Sequence, residues 1–218
     1  PLSVLGEYDT NPVRQDIEEI GARIHIHLAL NAILNQQRQI IHVLAGEPRR
    51  VVQEGLSYSR QACQVYLERR FKMVVASPGG HPKDINLYQT QKGLAHATLA
   101  TQPGGTLFLA AACPEGTGSP HYEDWIMGKK SHREVIASFQ REGFRVGPHK
   151  AYQISRDASQ FHFYSYTRLE MAFARRLLLN PVEDLQAAID LALRSYPPEE
   201  PIGILPHAST TIPFWSEG

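Results

Sequence analysis

The sequence has few cysteines and no excess of charge. Cys63 and Cys113 are its only two cysteines in 218 residues, which excludes a disulfide framework and a four-cysteine zinc site. Such scarcity predicts a reducing, cytoplasmic location. Because 22 Lys and Arg balance 22 Asp and Glu, we expect neither nucleic acid nor a membrane surface as a partner. No apolar run approaches the roughly 18–20 residues that span a bilayer.

The first third of the chain is predicted to form a helix–hairpin–helix segment. Asn11 followed by Pro12 is typical of a helix start, and a short polar stretch separates two β-like runs further on. The predicted elements are a helix over about 12–22, strands over Arg23–Leu30 and Gln39–Leu44, and a helix from Gly46 to about Arg70. This segment is thin for an independent core.

From residue 71 onward, short apolar runs alternate with helical patterns. The predicted strands are Met73–Ala76, Leu107–Ala112, Phe161–Tyr166 and Ile202–Leu205, and the predicted helices cover about 84–101, 131–141, 148–158 and 180–195. This alternation indicates an α/β fold with a Rossmann-like, mostly parallel four-stranded sheet and flanking helices, the hairpin lying outside that sheet. Ligands bind at the carboxyl ends of the strands in such sheets.

The stretch after the first of these strands carries the most chemistry. Asp84, Tyr88 and Lys92 are spaced i, i+4, i+8, so we expect them on one helical face, with Asp84 as the helix cap and as the partner that keeps Lys92 charged and aimed. Lys92 supplies charge, Tyr88 and Gln89 supply directional hydrogen bonds, and the helix start adds a partial positive charge. The pattern fits an anion site, and it equally fits a capped surface helix whose charges are solvated.

Other candidates leave two interpretations open. His149 and Lys150 stand near a predicted helix start, where cations oppose the dipole; they are a functional pair or a tolerated surface pair. His25 and His27 face one side of a predicted strand, which favours a solvated face over a metal site in the absence of a third ligand.

The loop after the second strand allows two interpretations as well. Cys113 ends an apolar run, which favours a small hydrophobic residue over a nucleophile. Gly116 and Gly118 follow it, and their loop is able in principle to present backbone N–H groups to an anion. His207, after the fourth strand, is a surface residue or a cleft residue.

Several of these motifs resemble the second half of the nickel-pincer lactate racemase family. The most specific is the Gly-rich loop followed by Asp-x-Asn-x-Tyr-Gln-x-x-Lys-Gly, which here runs from Asp84 to Gly93 after Gly79 and Gly80. The similarity covers nearly the whole chain and continues at Asn11 to Asp16, Cys113-Pro114-Glu115-Gly116-x-Gly118, Gly147-x-His149-Lys150-Ala151 and Leu205-Pro206-His207.

The resemblance implies a two-domain α/β isomerase that interconverts the enantiomers of a small 2-hydroxy acid. Its cofactor would be a nickel-binding pincer pyridinium mononucleotide that takes up and returns a hydride, while a histidine accepts the hydroxyl proton. The implied substrate-binding residues are Tyr88, Gln89, Lys92, His149 and Lys150, supported by Asp84, Asn86, Gly79, Gly80 and Gly116. No metal ligand is implied here.

The family's cofactor-tethering lysine, nickel-binding histidine and acid–base histidines belong to its first half, and no counterpart is found here. We therefore expect a C-terminal portion: residues 1–70 as the end of the family's first domain, and 71–218 as the second domain on the substrate side of the cleft. The N-terminal half would be its partner. We expect the chain alone to be inactive and to bind neither cofactor nor nickel. The alternative is a non-catalytic α/β module for a phosphate or carboxylate ligand.

Overall fold

The computed structural model describes residues 8–215. These divide into two compact units, one up to Cys63 and the other from Gln64 onward. The first seven residues of the predicted segment 1–70 lie outside the described residues, and the assignment of that segment to another domain stays a prediction. Within the described range, every helix is too short or too polar to cross a bilayer.

The first unit is a helix, a hairpin and a second helix. Its elements are α1 (Pro12–Ala22), β1 (Ala29–Leu34), β2 (Ile40–Gly46) and α2 (Pro48–Cys63). The predicted start of α1 is confirmed: Asn11 Oδ1 accepts hydrogen bonds from the amides of Val13 and Arg14, at 3.1 and 3.3 Å. The two strands pair antiparallel around the turn at Asn35.

Two predicted boundaries in this unit are wrong. The strand expected over Arg23–Leu30 begins only at Ala29, because the register of the hairpin pairs β1 with Ile40–Gly46 and offers the residues before it no partner strand. The helix expected to reach Arg70 ends at Cys63. The next residues form β3 (Gln64–Tyr66), which pairs in parallel with β8 (Ile212–Phe214), a strand far away along the chain.

The second unit is built on one four-stranded sheet. Its strands are β4 (Phe71–Ala76), β5 (Thr101–Ala110), β6 (His162–Tyr166) and β7 (Gly203–Leu205), in the order β6-β5-β4-β7. All neighbours are parallel, and the hairpin forms a separate sheet. The predicted α/β class and the division between sheet and hairpin are therefore confirmed.

The remaining elements of this unit are helical. They are α3 (Leu87–Ala100), α4 (Pro120–Ile126), α5 (His132–Glu142), α6 (Pro148–Ala158), α7 (Met171–Arg176), α8 (Leu185–Leu193) and a 3-10 turn (Ala208–Thr210). The last long helix starts later than predicted, because Asp184 rather than Asn180 caps it through a 3.0 Å bond from the Ala187 amide.

One large hydrophobic cluster lies on the face of the sheet that carries Val74, Leu107 and Phe163. Val74, Leu107 and Phe163 stand in register on β4, β5 and β6, and Leu94 of α3 and Ile154 of α6 belong to the same buried cluster. The helices α3 and α6 pack against each other as well as on this core. Their common packing brings the first turns of both helices together, and this is where the candidate site lies.

Candidate functional site

The start of α3 is capped by Asn86 and not by Asp84. Asn86 Oδ1 accepts a hydrogen bond from the Gln89 amide at 3.0 Å, and the helix begins only at Leu87. The predicted face shared by Asp84, Tyr88 and Lys92 is therefore wrong for Asp84, although Tyr88 and Lys92 do lie one turn apart on α3. Asp84 lies two residues before the capping residue, outside the helical turn.

Asp84 instead fastens the loop after β4 to the loop after β5. Its Oδ2 accepts a hydrogen bond from the Ala112 amide at 3.1 Å, and its carbonyl accepts one from Cys113 at 2.8 Å. This contradicts the expectation that Asp84 pairs with Lys92. The carboxylate supports the site by holding two strand-end loops together.

Backbone amides at the start of α3 are already occupied. The amides of Leu87 and Tyr88 donate to the carbonyls of Gly116 and Thr117, both at 3.0 Å. Those of Gln89 and Thr90 donate to Asn86, each at 3.0 Å. The first four amides of a helix are its usual anion donors, and at this helix start all four already have acceptors within the chain.

Several backbone amides in the loop after β5 also have acceptors within the chain. The amides of Cys113, Glu115 and Gly116 donate to carbonyls of Asp84, Ile85 and Cys113, at 2.8–3.0 Å. The loop also supplies carbonyl oxygens to α3, and Gly116 supports the site through its carbonyl, which accepts from the Leu87 amide.

Gly118 gives a test of this cap. Its φ is +74°, and an added Cβ would lie 2.4 Å from Asn86 Cγ, whereas Gly104, also with φ +74°, has nothing within 4 Å of such an atom. We expect Gly104→Ala to lower the free energy of unfolding by about 1 kcal/mol, for its backbone conformation alone. Gly118→Ala should cost an additional ~2 kcal/mol from the displaced cap. Urea unfolding measures both, and equal losses would contradict the role of Asn86.

The first turn of α6 carries a buried lysine. Lys150 is only 9 % exposed, and its Nζ donates to Gln91 Oε1 at 2.9 Å. The same ammonium lies 4.7 Å from the centroid of the Tyr88 ring, a cation–π contact. The neighbouring His149 accepts from the Gly147 amide at 3.1 Å through Nδ1. Its ring meets Tyr88 edge-on, with centroids 5.7 Å apart.

The five predicted ligand-binding residues therefore converge from two helices. Tyr88 contacts both His149 and Lys150. Lys92, one turn along α3, donates from Nζ to Gln89 Oε1 at 2.8 Å and remains exposed. Two lysines, two hydrogen-bonding side chains and an imidazole are thus linked by contacts and charge across the first turns of α3 and α6.

Electrostatics within this group follow from the burial of Lys150. Burial lowers the pKa of the Lys150 ammonium, and the nearby charge of Lys92 lowers it further, against the opposing effect of Asp157. Burial and then the charge of Lys150 also lower the pKa of His149. The two lysines repel each other while both are charged, and an anion between them would relieve that repulsion.

Other predicted residues lie elsewhere in the unit. Gly79, with φ +107°, lies so close to His207 that a Cβ would stand 3.0 Å from His207 Nδ1, whereas Gly80 has open space around it. Lys83 Nζ donates to Thr210 at 3.5 Å in the same region. Cys113 is buried, and burial raises the pKa of its thiol to about 11, which agrees with a packing role rather than a nucleophile.

Two members of the group were missed in the sequence. Gln91 is 5 % exposed and lies behind Lys150, and Asp157 is 2 % exposed and accepts from Gln91 Nε2 at 3.5 Å. Asp157 is seven residues after Lys150 on the same helix, and each opposes the dipole at its own end of α6. Two opposite charges seven residues apart, each at the helix end that its charge makes unfavourable, were a signal available in the sequence.

The histidine pair in the first unit forms no metal site of recognisable kind. His25 and His27 lie in the connection between α1 and β1 rather than on a strand, and their rings pack edge to face at 4.3 Å. Among residues 8–215, no group of three or more His, Cys, Asp or Glu side chains is placed to hold a metal ion.

The site lies within a region that matches a known family. The model of the lactate racemase C-terminal domain matches residues 68–209. The chain belongs to the lactate racemase family. Lactate racemase of Thermoanaerobacterium thermosaccharolyticum is 22 % identical over 216 residues, covering 97 % of this chain and 50 % of that protein. Lactate racemase of Lactiplantibacillus plantarum is 24 % identical over 118 residues, which are 54 % of this chain and 28 % of that protein.

Solved structures share the fold of this lactate racemase family member. The lactate racemase apoprotein of Thermoanaerobacterium thermosaccharolyticum superposes with a TM-score of 0.90 at 21 % identity, over 98 % of this chain and 52 % of that one. A protein of Thermotoga maritima superposes with a TM-score of 0.67 at 16 % identity, over 94 % of this chain and 54 % of that one. The chain spans about half the length of the relatives that match nearly all of it.

Proposed function

We propose that this chain is the substrate-binding portion of a lactate racemase-like enzyme that racemises or epimerises a small 2-hydroxy acid. The observation that carries the proposal is the contact of Lys150 with Tyr88 and with the nearby charge of Lys92, within the region that matches the family. Two ammonium groups at one position suit a carboxylate. Tyr88 and Gln89 bring further hydrogen-bond donors for its oxygens or for the 2-hydroxyl.

The remaining chemistry would come from the other half of the enzyme. The resemblance assigns the nickel-pincer cofactor, which supplies hydride chemistry when bound, and the acid–base histidines to that half. The residues described here would bind and orient the acid, so that its reacting carbon faces the partner domain. Both cysteines are free thiols, which supports the cytoplasmic location that we propose.

Apolar surface on the first unit supports such a partner. Among its described residues only Tyr8 and Val51 are buried apolar side chains. Many large apolar side chains on α1 and the hairpin are 47–72 % exposed: Val13, Ile17, Ile20, Leu30, Leu34, Ile40, Ile41 and Val43. Exposed apolar side chains in this number suit an interaction surface. We propose that the N-terminal half of the relatives corresponds to the polypeptide that covers it.

Mixing experiments test this function. The purified chain is combined with a separately made polypeptide corresponding to the other half, together with the cofactor, and conversion of L-lactate to D-lactate is followed by chiral chromatography. We expect racemisation in the mixture and in neither part alone; other 2-hydroxy acids are tested in parallel. Binding of carboxylates without racemisation of any 2-hydroxy acid would instead identify a non-catalytic module.

Carboxylate binding by the chain should depend on pH through Lys150. Lys92 and Tyr88 of α3, and His149 and Asp157 of its own helix, are the titratable groups that face or flank it. The Lys150 ammonium is charged below its lowered pKa and becomes neutral above it. Affinity for lactate, measured by calorimetry, should therefore fall as pH rises, starting below the ordinary lysine range. Arginine stays charged, so Lys150→Arg should move this fall to higher pH; an unmoved fall would contradict the assignment.

A further inference from the structure

A buried polar chain lies behind the Lys150 ammonium. Lys150 Nζ donates to Gln91 Oε1 at 2.9 Å, and Gln91 Nε2 is directed to Asp157 Oδ2 at 3.5 Å. All three side chains are at most 9 % exposed. Asp157 is in turn held by Arg156, whose Nε donates to Oδ1 at 2.7 Å. The chain therefore runs from the candidate site through the contact of α3 with α6 to an exposed arginine.

The order of partners fixes the orientation of the Gln91 amide. An amide offers an acceptor oxygen on one side and a donor nitrogen on the other. Because Asp157 accepts from the nitrogen, the oxygen is left facing Lys150. A reversed amide would turn N–H groups toward an ammonium and an oxygen toward a carboxylate, and both contacts would repel. Asp157 thus determines which end of Gln91 meets the lysine.

This orientation also sets where the ammonium lies. A lysine side chain is a flexible four-carbon stem, so the compact charge at its end is usually mobile. Here one donor position is taken by Gln91, and the Tyr88 ring lies 4.7 Å from Nζ. The charge of Lys92 also acts on Lys150. The ammonium is therefore held beside Lys92 against the repulsion between them.

We propose that Gln91 and Asp157 are positioning residues that hold Lys150 beside Lys92, so that both lysines bind one substrate carboxylate. The inference rests on the proposed function and deepens it, because it explains how a single carboxylate is held between cations from two helices. Gln91 and Asp157 touch no substrate themselves. They act through Lys150.

The test uses the complete enzyme with Gln91→Met, which keeps the length of the side chain and removes its polar atoms. A substrate carboxylate is unchanged through the reaction, so its contact stabilises bound substrate and transition state alike. We therefore expect KM for lactate to rise about tenfold, with kcat within about twofold of the parent. Asp157→Leu removes the acceptor for Gln91 and should also lower the affinity for lactate. Asp157→Asn keeps an acceptor oxygen for Gln91 and should retain most of that affinity.

Ser155→Ala is the matched control. Ser155 is a buried polar residue of α6, 1 % exposed, but its hydroxyl is bonded to His132 rather than to Gln91. This variant should leave KM unchanged. If Gln91→Met leaves KM at the parent value while Lys150→Met raises it, the positioning role is wrong and the proposed function stands.

A second measurement does not depend on activity. Lysine acylation by acetic anhydride is followed peptide by peptide in this chain by mass spectrometry. Release of Lys150 by Gln91→Met or Asp157→Leu should raise its acylation rate several-fold relative to Lys130, and Ser155→Ala should not. An unchanged rate would overturn the inference, whether or not the complete enzyme proves to be a racemase.

Discussion

Replacing Lys92 by alanine in the complete enzyme should lower kcat/KM for racemisation at least about tenfold. Lys92 is exposed, its ammonium is bonded to Gln89, and its charge acts on Lys150, where the substrate carboxylate is proposed to bind. A hydrogen bond between charged groups contributes about 1.5–3 kcal/mol, which is a factor of ten or more. Stability should change little, because Lys92 is bonded only to the Gln89 amide oxygen among the described contacts of its side chain.

Lys130→Ala is the control for that substitution. Lys130 is an exposed lysine in the connection between α4 and α5, so its loss changes the net charge equally without touching the site. Steady-state kinetics on both variants separate the local contact from a general effect of charge. Full activity of Lys92→Ala would show that the ammonium does not bind substrate.

Lys150→Met should also lower kcat/KM at least about tenfold, while leaving stability within about 1 kcal/mol. The substitution removes the second cation from the site and keeps the volume of the side chain. Burying a charge is costly, so removing Lys150 relieves a desolvation penalty. The partner oxygen of Gln91 then lacks its donor, and this loss opposes the gain. Kinetics and urea unfolding of the same preparation measure both effects.

Gln153→Met is the matched control on the same helix. The Oε1 atom of Gln153 is buried and has no hydrogen-bond partner among the described residues, so an apolar replacement should neither reduce activity nor destabilise the chain. A loss of several kcal/mol in Lys150→Met, with activity lost only in proportion to folded protein, would make Lys150 a structural residue instead.

Local signals in the sequence predicted the elements that begin at a strong cap. The helices α1 and α6 begin at Pro12 and Pro148 as expected, because proline at the first turn removes a donor that has no partner there. Ser131 caps α5 as predicted, through a 3.2 Å bond from the Glu134 amide. The alternation of short apolar runs with helices was sufficient to predict the parallel sheet.

Predictions failed where a residue had two possible partners. Asp84 and Asn86 both suit a helix cap, and the sequence does not decide between them. The approach of the loop after β5 does: it brings the Ala112 amide to the Asp84 carboxylate and leaves Asn86 to cap α3. The parallel pairing of β3 with β8 was missed for a different reason, because a three-residue strand has too few residues to show a pattern of its own.

The sequence by itself determined the fold class, the spacing of Tyr88 and Lys92, and the family to which the chain is similar. These follow from local periodicity and motif. Only the tertiary structure decided that Lys150 is buried, that Gln91 and Asp157 stand behind it, and that backbone amides near the site are occupied. The packing of α3 against α6 is the physical reason, because the burial and hydrogen-bond partners of a side chain depend on the neighbouring element, which local sequence does not specify.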